Sequence, residues 1–128
     1  MMEPNSRFSF WAAACGVLGA SAVAIGAIAS HVMSQPLAIA SVEKASSYQL
    51  WHVLAILVTL CMRGATLAWA RLLFLAGILL FCGSIYAKYF MGIQAAVVVA
   101  PAGGIALMAG WLMVGLSACR AIGTPPRS

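Results

Sequence analysis

Four apolar stretches divide the chain, and a short group of polar or turn-forming residues closes each one. The first covers residues 8–32 and ends before Gln35-Pro36, with Glu43 and Lys44 farther along the connection. The second opens at Ser46 or Ser47, covers 46–62 and stops at Arg63-Gly64. The third covers 72–91, with Lys88 near its end and Gly92-Ile93-Gln94 as the next turn, and the fourth covers 95–118 before Arg120 and Thr124-Pro125-Pro126. A helix needs about 20 predominantly apolar residues to cross the hydrocarbon of a bilayer, and all four stretches fall near that length. The pattern predicts an all-α integral membrane protein, one domain over residues 1–128, folded as a four-helix bundle. Residues 37–40 are apolar enough to be expected on the membrane surface between the first two spans.

Composition narrows the class further. Hydrophobic residues make up 64% of the 128 positions and charged residues 7%, whereas about a quarter of a soluble domain is charged. No soluble catalytic domain fits beside four spans, and the main partner is the lipid bilayer. The net charge of +5 arises from seven scattered Lys and Arg against Glu3 and Glu43, with no basic run of the kind that grips nucleic acid. An even number of spans places both termini and the 63–71 turn on one side, which collects Arg7, Arg63, Arg71, Arg120 and Arg127. The other side has only Lys44 and Lys88, so the positive-inside rule puts both termini in the cytoplasm. Trp11, Trp69 and Trp111 are then expected toward the inner leaflet and Trp51 toward the outer.

Arg7 ahead of an apolar run that ends in Ala27-Ile28-Ala29-Ser30 imitates a secretory signal, but the run is longer than a signal core and is expected to be retained as a span. Cys15, Cys61, Cys82 and Cys119 lack CxxC spacing and read as small apolar residues.

Within this apolar frame, Ser47-Tyr48-Gln49-Leu50-Trp51-His52 puts a phenol, an amide and an imidazole into a span. Such groups are costly in hydrocarbon and mark a site. Tyr48, Gln49 and His52 share one helix face by their three- and four-residue spacing. With His31 at the end of span one and Ser84 and Tyr86 in span three, they are expected to form one outer-leaflet cluster. Two readings follow. The cluster binds a small ligand such as a lipid headgroup or a quinone, or handles protons; or it cross-links the helices by hydrogen bonds, which requires only a partner for each group. His31 and His52 do not make a convincing haem pair without an attachment motif, and a zinc site would have only Glu43 as a third ligand. No metal and no cofactor is therefore expected. Ser84 lacks an acid to orient a histidine base, and no carboxylate falls in any predicted span, so neither nucleophilic catalysis nor ion-coupled transport is expected.

Packing signals are abundant by comparison. Ala12, Gly16, Ala20 and Ala24 form one small-residue stripe and Ala102, Ala106 and Gly110 another, the usual surfaces of helix contact in lipid. Pro101 followed by Gly103 and Gly104 predicts a bend partway into the fourth span.

Four ordered motifs add a resemblance: Gly26-Ala27-Ile28-Ala29-Ser30-His31, Tyr48-Gln49-Leu50-Trp51-His52, the run from Gly77 through Gly83-Ser84-Ile85-Tyr86, and Pro101-Ala102-Gly103-Gly104 with Gly110-Trp111. In these the chain is similar to domain-of-unknown-function family 423, small four-span proteins of the bacterial inner (plasma) membrane with relatives in animal mitochondria. The resemblance implies a four-helix membrane fold and carries the family pattern onto His31, Tyr48, Gln49, His52, Gly83, Ser84, Tyr86, Pro101, Gly103, Gly104, Gly110 and Trp111. It implies no established activity. Ala29 and Ser30 depart from the Gly and Ala that the family usually has before the His. The expected function is that of a non-enzymatic accessory or scaffold subunit, packed against a membrane protein partner or a second copy; the alternative is the ligand-binding or proton-handling protein.

Overall fold

The computed structural model describes residues 6–123; Glu3, Arg127 and the Thr124-Pro125-Pro126 tail lie outside the described residues. Four long helices follow one another: α1 (Ser6–Val32), α2 (Pro36–Cys61), α3 (Leu67–Met91) and α4 (Gln94–Ile122). Helices α1, α3 and α4 are long and apolar enough to cross a membrane, so the chain is a multi-pass membrane protein. Helix α2 owes its lower hydropathy to the polar run around Gln49 and to Glu43 and Lys44.

The start of α2 corrects the sequence reading. The helix begins at Pro36 rather than near Ser46, and the residues expected to lie on the membrane surface form its first turns. Proline is suited to this place, because the first helical N–H has no intrahelical partner and the ring fixes a helical φ. Glu43 and Lys44 consequently lie within a helix instead of a connection. Pro101 behaves in the same way. The fourth helix opens as a 3-10 segment (Gln94–Val99), the α-helical part runs from Ala100 to Ile122, and Pro101 occupies its first turn. The irregularity therefore precedes the proline and lies at the start of α4, not partway along it.

Helix α1 packs mainly on α2, α3 packs on α4, and α2 joins the two pairs through α3. The most polar helix is thus the most enclosed, with Val42, Gln49, His52, Val53, Ile56 and Thr59 all buried. Phe74, Ile78 and Leu107 complete a core with Ile56 and Val53. This arrangement removes the polar face of α2 from lipid, where unsatisfied groups would cost several kcal/mol each.

Helices α3 and α4 cross closely at glycines. A methyl group on Gly103 would collide with the backbone nitrogen of Phe81, one on Gly77 would meet Leu107, and one on Gly110 would lie 2.6 Å from the Phe74 ring. At this crossing α3 widens into a π-helical turn (Ile78–Cys82), in which the Gly83 N–H donates to the Ile78 carbonyl. The inward stripe of α4 is Gly103, Leu107 and Gly110, so the expected Ala102–Ala106–Gly110 row is correct only at Gly110; Ala102 is exposed. On α1 the buried positions are Cys15, Ala22 and Ala29, while Gly16, Ala20 and Ala24 face outward. Small residues occur on both faces of these helices, so their spacing alone does not select the inward one.

Gly103→Ala should lower stability by about 1–3 kcal/mol through overpacking. Gly104→Ala, where the added methyl has open space, should stay within about 0.5 kcal/mol of the parent. Thermal unfolding followed by circular dichroism in detergent compares the two; equal destabilisation would contradict the close crossing.

Candidate functional site

The polar face of α2 meets its partners midway along the helix. The side chain of Gln49, buried to 3% exposure, reaches two neighbouring helices. Its Nε2 donates to the Leu18 carbonyl at 2.7 Å and to Ser21 Oγ at 2.8 Å on α1. Ser21 Oγ in turn donates to the Leu18 carbonyl at 2.9 Å. On the opposite side Tyr86 Oη of α3 donates to Gln49 Oε1 at 2.9 Å. Both amide hydrogens and the carbonyl oxygen of Gln49 are therefore used, and one side chain ties α1, α2 and α3 together.

One turn farther along, His52 engages α4. Trp111 Nε1 lies 3.2 Å from His52 Nε2, and His52 Nδ1 lies 2.6 Å from the Tyr48 carbonyl. An indole N–H can only donate and a carbonyl can only accept, so Nε2 holds a lone pair and Nδ1 holds the proton. The imidazole is thereby fixed as the neutral Nδ1–H tautomer. It sits among the rings of Tyr48, Phe74 and Trp111, with centroids 6.0, 5.5 and 6.1 Å away. A metal at Nε2 would have to displace the indole, and a proton accepted there would turn two donors toward each other.

The other predicted site residues are distributed differently. His31 is exposed at the end of α1, thirteen residues beyond Leu18 and so about 20 Å from the Gln49 level by helical rise; it does not belong to the cluster. Ser84 is buried, but its hydroxyl donates to the Phe81 carbonyl of its own helix at 2.8 Å. Cys82 Sγ donates to the Ala45 carbonyl at 3.2 Å, linking the π turn to α2. Glu43, assigned from the sequence to a connection, accepts a hydrogen bond from Ser30 Oγ while held on α2. The cluster also lies farther along its helix than expected. Because α2 starts at Pro36, Tyr48 to His52 fall in its middle third, and Trp111, expected in the leaflet opposite Trp51, bonds the residue next to Trp51. Among the described residues no group of three or more His, Cys, Asp or Glu gathers at one place.

One participant and the role of another escaped the sequence reading. Ser21 is inconspicuous in a helix of Ala and Gly, and Trp111 reads as an interfacial anchor rather than as the donor to His52. Beside the His52–Trp111 bond a groove of about 420 Å3 opens between α2 and α4, lined by Tyr48, Trp51, Phe81, Leu107, Met108 and Trp111 among others. Gly104 forms part of its wall, in keeping with the open space above that residue.

Long apolar helices fastened by a buried amide define an all-helical, multi-pass membrane protein. The chain belongs to the family described as protein of unknown function (DUF423), whose pattern matches residues 25–104. It is 33% identical over 99 residues to a UPF0382 membrane protein of Staphylococcus aureus, covering 73% of this chain and 81% of the relative. A UPF0382 membrane protein of Haemophilus influenzae is 35% identical over 96 residues, covering 70% of this chain and 77% of that one. The UPF0382 inner membrane protein YgdD of Escherichia coli is 30% identical over 123 residues, with 91% of this chain and 92% of the relative covered. No solved structure matches. The family match takes in Gln49, His52 and Tyr86, whereas Ser21 and Trp111, their partners, lie outside it.

Gln49→Leu should destabilise the fold by about 1–3 kcal/mol, because it leaves buried partners unsatisfied. In a double-mutant cycle with Tyr86→Phe, the coupling should be about 0.6 kcal/mol and no more than about 1.7, the range seen for hydrogen bonds between membrane helices. His31→Ala should change stability by less than about 0.5 kcal/mol. Additive effects of the Gln49 and Tyr86 changes would remove the bond from the network.

Proposed function

We propose that this protein is a non-enzymatic accessory or scaffold subunit of a larger assembly in the bacterial inner membrane. The observation that supports the reading is the saturation of its central polar groups. Gln49 uses its whole amide, His52 uses both nitrogens and Ser84 bonds its own helix, so these side chains hold helices and offer no nucleophile or base to a substrate. The outer face of α1 supplies a means of association. Gly16, Ala20 and Ala24 are exposed there, and no atom lies within 4 Å of a methyl group placed on Gly16. Small residues at this spacing allow a neighbouring helix to approach closely. Extraction in a mild detergent should yield a particle larger than the 13.3 kDa chain plus its detergent, and Ala20→Trp should disperse it. A solitary chain that gives no cross-linked product in membranes would overturn the proposal.

The proposed topology has all four helices crossing as a bundle, with both termini cytoplasmic. Arg7, Arg63, Arg71 and Arg120 lie at the helix ends nearest the termini, and Lys44 and Lys88 lie toward the other end, the asymmetry that supports this orientation. Cys61 and Cys119 are exposed near the arginine-rich end, while Cys15 and Cys82 are buried. A membrane-impermeant maleimide should label Cys61 and Cys119 in inverted vesicles and leave them unlabelled in intact spheroplasts. The reverse pattern would invert the topology.

A second reading is favoured by the groove beside His52. Its walls are aromatic and apolar, and the polar atoms of His52 are already engaged, so it suits a quinone ring or a lipid chain better than a polar headgroup. Met108→Trp, which fills the groove without touching the Gln49 network, should remove any quinone or lipid that copurifies with the parent. Retention of that molecule by the variant would exclude the groove as its site.

A further inference from the structure

At the end of the molecule where α1 starts and α4 finishes, the first turns of α1 and α3 and the last turn of α2 border a pocket of about 550 Å3, lined by Arg7, Phe8, Trp11, Ala68, Arg71 and Leu72 among others. Arg71, on the second turn of α3, is its half-buried cation. The guanidinium is under-satisfied. Its Nη1 donates to the Thr59 carbonyl at 3.3 Å, its Nε is buried without an acceptor, and Thr59 is its one acceptor among the described residues. The Trp11 ring supports it from below, with the guanidinium carbon 5.9 Å from the ring centroid.

A buried, under-satisfied polar group calls for a missing partner, and the surroundings specify the sign of that partner. Arg7 lines the same pocket, and no carboxylate lines it among the described residues. Leu67 and Ala68, in the first turn of α3, line it as well, so the positive end of that helix lies beside it. Among the described residues the carbonyl end of α2 opposes this charge, and Arg71 meets it through Thr59. A planar guanidinium beside a helix N-terminus matches the tetrahedral oxygens of a phosphate group.

The rim selects the source of that phosphate. Phe8 and Leu72 are exposed apolar residues on the pocket lining, and Phe10 and Trp69 are exposed nearby. They would lie in hydrocarbon when the arginines lie at headgroup level, as interfacial Trp and Arg do. We propose that this pocket is a binding site for the phosphate of an anionic phospholipid, held by Arg71 and Arg7 over Trp11 while the acyl chains descend past Phe8 and Leu72. The site is separate from the Gln49–His52 network and from the groove between α2 and α4, so it stands independently of the scaffold assignment.

The full chain in detergent, titrated with phosphatidylglycerol or phosphatidylcholine and read by native mass spectrometry, tests the proposal. Phosphatidylglycerol should bind in preference to phosphatidylcholine. Arg71→Gln should weaken that binding at least about tenfold, the lower end for losing a hydrogen bond to a charged group. Arg71→Lys should recover part of it, and Arg63→Gln, an exposed arginine outside the pocket lining, should bind like the parent. Equal binding of the two lipids by the parent protein would overturn the site without recourse to any variant. An equal loss from Arg63→Gln would replace it with diffuse charge attraction. Inorganic phosphate that displaces phosphatidylglycerol completely at similar concentration would show that the acyl chains contribute nothing and would overturn the lipid assignment.

Discussion

Hydrocarbon offers a buried amide no water as a substitute partner, so Gln49 can occupy the middle of α2 only if neighbouring helices satisfy all of it. That requirement determines much of the arrangement around it. Two donors must find oxygen on α1, and they find the Leu18 carbonyl and Ser21 Oγ; one acceptor must find a hydroxyl on α3, and Tyr86 supplies it. Shifting α2 by a single residue would turn the amide away from all three partners. Apolar contacts among these helices tolerate small displacements, whereas this set of bonds fixes rotation and register together.

The other fixed point is steric. Gly103 lets the backbone of α4 lie against the π turn of α3, and Gly110 accommodates the Phe74 ring one level away. Phe74 in turn packs against His52 and Trp111, so the ring that meets Gly110 at the crossing of α3 with α4 also packs against both partners of the His52–Trp111 bond. The π turn also directs Cys82 at the Ala45 carbonyl and Ser84 back at Phe81. Wide turns of this kind inside helices are frequent at functional positions. Here the turn has an evident structural role, since it provides the backbone surface that Gly103 approaches.

The central polar groups of Gln49 and His52 are taken up by contacts within and between the helices. His52 would be the natural candidate for acid–base work in a chain with so few titratable groups, yet its two nitrogens are committed to a carbonyl and an indole. The under-satisfied charge lies elsewhere, at Arg71 near the arginine-rich end. The groove beside Trp111 is another opening, and its lining is mostly apolar or aromatic.

The sequence by itself determined the helical class and the membrane setting, and it singled out Tyr48, Gln49 and His52 as polar residues in an apolar segment, because hydrophobic length and the cost of polar groups in lipid are properties of local composition. It also indicated the family through its ordered motifs. Where α2 begins was not legible, since Pro36 reads equally as a loop residue and as the first residue of a helix, and the later start placed Tyr48, Gln49 and His52 at the opening of the helix instead of in its middle. His31 was grouped with them for the same reason. Only the tertiary structure decided that Ser21 and Trp111 complete the polar network, that Gly103 rather than Ala102 faces α3, and that Gly16, Ala20 and Ala24 face outward. Periodicity identifies the faces of a helix, but which face meets which neighbour depends on the simultaneous fit of four helices, and no single segment contains that information.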